Sequence, residues 1–200
     1  MWFKQCFWEW SARVPLIISV PDGRKNASVT ANTSLVDLLP TQIEFAGNLN
    51  ELPEKIISGF AGNNLRQLLE DNIKDWSNCV IADYLSVGPC VPARMVRKGN
   101  YKFIYTHGNP DLLFDLVEDP DELSNLAEDQ SYKEIIGDLK KQAMNNYDPN
   151  TLMLEVIASQ QRRLFIKSVP GEIPSWDYIA YQGDDRRYVR RDGVDGTKSR

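Results

Sequence analysis

Two hundred residues with 42 % apolar side chains hold enough hydrophobic material for a buried core in one or two domains. The 28 acidic against 23 basic side chains leave a formal charge of −5, which argues against a nucleic-acid footprint; the one basic cluster, Arg186 to Arg200, is diluted by Asp192 and Asp195. No apolar run reaches the about 18 residues of a membrane span, and Met1-Trp2-Phe3-Lys4 lacks the layout of a secretory leader, so a cytoplasmic chain is expected.

Val14 to Val20 (VPLIISV) is a continuous apolar run between Arg13 and Pro21-Asp22-Gly23, the pattern of a fully buried strand in an α/β sheet. Thr33 or Ser34 then caps a helix carrying Leu35, Val36, Leu38, Leu39, Ile43 and Phe45, closed by Gly47. Residues 48–54 are linker-like. From Asn78 the pattern shortens to strands, beginning with CVIADYLSV.

Residues 94–129 are the densest in signal. Val96, Tyr101, Phe103 and Tyr105 lie on a β-rich run that Asn109-Pro110 breaks, and Leu113, Phe114 and Leu116 form a short buried strand. Asp119-Pro120-Asp121-Glu122 follows, with proline at a turn and carboxylates bunched as at a helix N-terminus. Arg94, Arg97 and Lys98 read as a solvated strand face. A helix over 132–147 places Ile135, Ile136, Leu139, Ala143 and Met144 on one face, so three or four antiparallel strands under a helix form a compact second layer. Asp148-Pro149 separates it from another helix, Thr151 to about Lys167, striped by Leu152, Leu154, Val156, Ile157 and Leu164. The last thirty residues, broken by Pro170-Gly171 and Pro174, read as an arm that packs on something else. Cys6, Cys79 and Cys90 form no C-x-x-C pair and the single histidine, His107, decorates a turn, so a zinc site is not expected.

The stretch RMVRKGNYKFIY, followed by LLFDLVEDPDELSNLAED, resembles the C-terminal signature of the sulfatase family, in the alkaline-phosphatase-like superfamily: M-(I/V)-R-x-G-x-(Y/W)-K-(F/Y)-I leading to L-(F/Y)-D-L-x-x-D-P-x-E-x-x-N-L-A. WFKQCFWEWSARVPLII is similar to the family's W-Y-K-M-x-F-F-E-G-S-A-R-V-P-L-I, with Trp10 in place of glycine. Gly62 to Leu69 stands where the family has its G-x-S-L-x-P-L-L turn. The tail, with Asn150, Leu154, Ser159-Gln160-Gln161-Arg162-Arg163, Pro174-Ser175-Trp176-Asp177-Tyr178 and Arg187-Tyr188-Val189-Arg190, resembles the extension of the choline-sulfatase members.

The resemblance implies an α/β fold in three parts: residues 1–75 as the end of the large catalytic domain, 76–147 as a small antiparallel sheet with a packed helix, and 148–200 as a helix and oligomerisation arm. Such enzymes use a formylglycine nucleophile, made within C-x-P-x-R, beside a calcium ion. The segments that supply both lie upstream of the region matched here, so no metal ligand and no cofactor are expected from this chain. Lys4 carries over as a catalytic residue. An ammonium is a compact charge able to neutralise sulfate oxygens as the S–O bond breaks. Asp83 matches an acidic position near the substrate's trimethylammonium group, where the family usually has glutamate, and Trp176 with Asp177 would reach a neighbouring subunit's pocket. Cys90-Val91-Pro92-Ala93-Arg94 satisfies C-x-P-x-R literally, yet Arg94 runs straight into β-rich sequence rather than a helix, so Cys90 is read as a coincidence.

The implied reaction is hydrolysis of choline sulfate by a homo-oligomer, with no nucleic-acid or membrane partner and no activity in this chain alone. A non-catalytic oligomerisation remnant, another sulfatase and a phosphonate monoester hydrolase are the rival readings.

Overall fold

The computed structural model describes residues 6–21, 23–47, 49–70, 73, 75–85 and 91–169. By internal contacts the chain divides into two compact units, 1–159 and 160–200.

The first unit is organised by an antiparallel sheet in the order β1 (Cys79–Tyr84), β2 (Ala93–Lys98), β3 (Tyr101–Thr106), β4 (Leu112–Asp115). The β-rich run read from the sequence is thus two strands. Gly99-Asn100 folds it into a hairpin that pairs Lys98 with Tyr101 and Val96 with Phe103, and Gly99 takes a φ of +56°, which glycine adopts without a Cβ penalty. Side chains alternate across the sheet, so Val96, Phe103 and Leu113 share one face. Helix α5 (Lys133–Ala143) covers that face with Leu139 and Ala143, and all five residues are buried. Full burial of a side chain such as Phe103 or Leu113 contributes roughly 1.5–3 kcal/mol. Met95, Ile104 and Phe114 face the other way, packed by Phe7, Trp8, Ala82, Leu112 and Leu116.

Around this lie the short helices α1 (Glu9–Ala12), α2 (Leu38–Ala46), α3 (Glu54–Ile57) and α4 (Arg66–Leu69); the long helix α6 is Pro149–Ser168. The expected helix from residue 35 starts as a 3-10 turn, Leu35–Asp37, before α2. Its anchor is polar. The buried Asp37 carboxylate accepts the N–H groups of Ser34 and Asn63, each at 2.7 Å, while Thr41 Oγ1 donates to the Asp37 carbonyl at 2.6 Å and accepts Leu65 N–H at 2.8 Å. Gly62 completes this joint, because a Cβ there would stand 2.2 Å from the Val36 carbonyl oxygen. Gly62→Ala is expected to cost about 1–3 kcal/mol in a denaturant titration, and an unchanged midpoint would show that the loop yields freely.

Two sequence expectations change. Residues 14–20 are not a strand: they pair with none of the four strands, and Ile17 is 94 % exposed. An apolar run becomes a buried strand only when a neighbouring strand meets its N–H and C=O groups, and among the described residues the run meets only a turn bond, from Gly23 N–H to the Val20 carbonyl at 3.4 Å. Leu35, Val36 and Leu39, read as the apolar content of a helix, are likewise exposed.

Candidate functional site

Strand alternation sends Phe103 toward α5 and Lys102 to the opposite face, where its side chain is wholly buried. An ammonium there must have all three N–H groups met. Nζ donates to Glu9 Oε1 at 2.6 Å, to Glu122 Oε1 at 2.7 Å and to the Phe7 carbonyl at 2.8 Å. Arg97, the cross-strand partner of Lys102, reaches Glu9 Oε2 at 2.9 Å, and Glu9 N–H donates to Glu122 Oε2 at 2.7 Å. Two cations and two anions balance. Burial opposes ionisation of Glu9, but Lys102 and Arg97 outweigh it and hold its carboxyl below the ordinary glutamate range.

The Asp119-Pro120-Asp121-Glu122 stretch is therefore not a helix start. Asp119 closes a turn, its carboxylate accepting from Leu123 N–H at 3.1 Å and Ser124 N–H at 2.8 Å, and Glu122 turns inward at a φ of +57°. That left-handed conformation is uncommon for a residue with a side chain and persists where contacts over-determine it. Beside the charges, Phe7 meets Tyr84 edge-on at 6.4 Å and Trp8 packs on Phe114 at 5.2 Å. Trp10, which replaces the family's glycine, is 72 % exposed, so its bulk projects out of this packing.

A second cluster holds Asp83. It stands opposite Arg94 in the β1–β2 register, and the guanidinium grips it at 2.6 and 2.8 Å. Arg94 also donates to the carbonyls of Ala143 and Asn145 and lies 3.8 Å from the Tyr147 ring centroid. Tyr147 meets Tyr105 edge-on, and Tyr105 Oη contacts His107 Nδ1 at 3.0 Å. Burial, and then Asp83, push the Tyr147 phenol up. Arg94 thus occupies the pair of partners, a carboxylate and an aromatic face, that a quaternary ammonium would seek. The solvated strand face expected of Arg94, Arg97 and Lys98 holds for Lys98, which meets Asp138 in the open, while Arg94 and Arg97 are drawn into partly buried pairs with Asp83 and Glu9.

Lys4, Cys90, Trp176 and Asp177 lie outside the described residues. Among the described residues no group of three or more His, Cys, Asp or Glu side chains is placed to hold a metal ion, and no helix is long and apolar enough to cross a membrane. Sequence reasoning passed over Glu9, Lys102 and Glu122 as candidates. A lysine between Tyr101 and Phe103, inside an otherwise aromatic and apolar strand, was the available signal.

A profile of the N-sulphoglucosamine sulphohydrolase C-terminal family matches residues 1–148. The choline-sulfatase of Rhizobium meliloti is 31 % identical over 95 % of this chain, and the arylsulfatase K of Gallus gallus is 32 % identical over 62 %. The chain spans only 37 % and 24 % of those two proteins. Among solved structures, a putative sulfatase from Bacteroides thetaiotaomicron superposes with a TM-score of 0.58 over 84 % of this chain and 34 % of its own, at 24 % identity. The phosphonate monoester hydrolase of Silicibacter pomeroyi follows with a TM-score of 0.56 over 69 % of this chain and 29 % of its own, at 22 % identity. The superpositions give this chain the fold of the matching part of those structures, and with the family profile covering residues 1–148 the chain belongs to the sulfatase family, corresponding to its C-terminal portion.

Proposed function

We propose that this chain is the C-terminal portion of a choline-sulfatase-like sulfuric ester hydrolase, acting on choline sulfate to give choline and sulfate. The observation that carries the reading is the alignment with the choline-sulfatase over 95 % of the chain, which extends past residue 148, where the family profile stops, into the tail holding Pro174-Ser175-Trp176-Asp177-Tyr178. In this reading Lys4 neutralises charge on the sulfate, and Trp176 and Asp177, delivered by an arm exchanged between subunits, receive the quaternary ammonium. Asp83 joins them only when its pair with Arg94 opens. The rat arylsulfatase K, 28 % identical over 93 % of the chain, favours a second reading as an aryl sulfate hydrolase.

Calcium and formylglycine chemistry does not fit the described residues. Arg94 of the literal C-x-P-x-R lies in β2 bound to Asp83, and no donor cluster is present among the described residues. The purified 200-residue chain is accordingly expected to hydrolyse neither choline sulfate nor an aryl sulfate, with or without calcium. Turnover abolished by Cys90→Ala would reverse that reading.

The substrate assignment is tested in the complete enzyme. Asp177→Asn is expected to raise KM for choline sulfate through a loss on the order of 1–3 kcal/mol in substrate binding, while sparing a neutral aryl sulfate. Equal effects on both substrates would favour the aryl sulfate reading and leave the arm a structural element.

A further inference from the structure

We propose that Lys102 is a positioning residue for the N-terminal segment that carries Lys4, an inference that rests on Lys4 meeting the sulfate group. The ammonium gathers two parts of the chain far apart in sequence, Phe7 with Glu9 and Glu122, and spends one N–H on a main-chain carbonyl. That last bond fixes backbone, not only a side chain. Arg97 takes the remaining Glu9 oxygen and Glu122 the Glu9 N–H, so the main chain at Phe7 to Glu9 is tied at both of its ends.

Lys4 stands three residues before Phe7 in the sequence, and what the ammonium anchors is the main chain from Phe7 onward. Residues 13–20, on the other side of α1, form no pairing with the sheet that could replace that anchor. Stability alone would not call for such a cluster. A buried ion network is seldom better than apolar packing of equal volume, and its best-attested use is to specify one arrangement among several. The arrangement specified here is the path of the segment from Phe7 to Ala12 across the face made by Met95, Ile104 and Phe114.

The test uses the charge-free replacement Glu9→Gln, Arg97→Met, Lys102→Met and Glu122→Gln, which removes both cations and both anions and so leaves no ion of the cluster without a partner. In the 200-residue chain, amide exchange over residues 6–12 is expected to quicken roughly ten-fold, while β2, β3 and α5 and the thermal midpoint stay as in the parent. Unchanged exchange over 6–12, or equal acceleration in the sheet, would overturn the proposal. In the complete enzyme the same replacement is expected to lower kcat by about ten-fold or more with KM within about two-fold, since small misplacements of a catalytic group are costly. On a Lys4→Ala background it should change kcat by less than about two-fold. The same factor with and without Lys4 would show that the cluster acts elsewhere and overturn the link. If Lys4→Ala alone left kcat intact, the reading of Lys4 would fall, and the exchange experiment would still decide whether Lys102 fixes the segment.

Discussion

Lys4→Ala in the complete enzyme is expected to lower kcat by about 100-fold or more while KM moves little, the loss produced by removing a donor aimed at charge that develops in the transition state. A ground-state sulfate ester carries its charge dispersed over the non-bridging oxygens, and as the S–O bond breaks the bonding pair moves onto the leaving oxygen, where an ammonium would neutralise it. Steady-state kinetics on choline sulfate and on an aryl sulfate separate the outcomes. A rise in KM at constant kcat would place Lys4 in uniform substrate binding, and normal values of both would remove it from the site.

The largest loss of stability is expected from Lys102→Ala, about 3–5 kcal/mol, because the variant leaves the buried Glu122 and the half-buried Glu9 without their shared counter-charge. Lys98→Ala removes a contact only slightly longer, to Asp138 at 2.8 Å, yet both side chains are largely exposed and the change should be hard to detect. Denaturant unfolding of the two variants side by side tests the contrast, and similar midpoints would refute it. The network also sets an acid limit. Glu9 is held below its ordinary range in the folded chain, so its contribution is complete above the unfolded glutamate value and is lost as pH falls through the depressed one.

The elements that local patterning could reveal were those whose partners lie within the chain. The β-rich alternation around Phe103, the apolar face of the helix holding Leu139 and Ala143, and the break at Asn109-Pro110 all correspond to observed structure, because strand and helix periods are written directly into side-chain order. The hairpin at Gly99-Asn100 was hidden inside what read as one long strand, since residues on both sides of it continue the same composition. The charge network was less visible still. Periodicity places Lys102 on a face but cannot say that Glu9, 93 positions earlier, and Glu122 meet it there. Composition likewise suggested solvated arginines at 94 and 97, and only the register that sets Arg94 against Asp83 shows otherwise. The resemblance to sulfatases carried fixed Lys and Glu positions without saying that they touch.

The run from Val14 to Val20 has a consequence for handling the protein. Leu16 to Val20, uncharged and mostly Ile, Leu and Val, with Ile17 94 % exposed and no strand beside them among the described residues, make a ready template for intermolecular β pairing. Pro15 and the flanking Arg13 are its gatekeepers. Produced by itself, the chain should collect in inclusion bodies and bind amyloid dyes, and a charge placed at Ile17 should bring it into the soluble fraction without disturbing the sheet, whose core that side chain never enters.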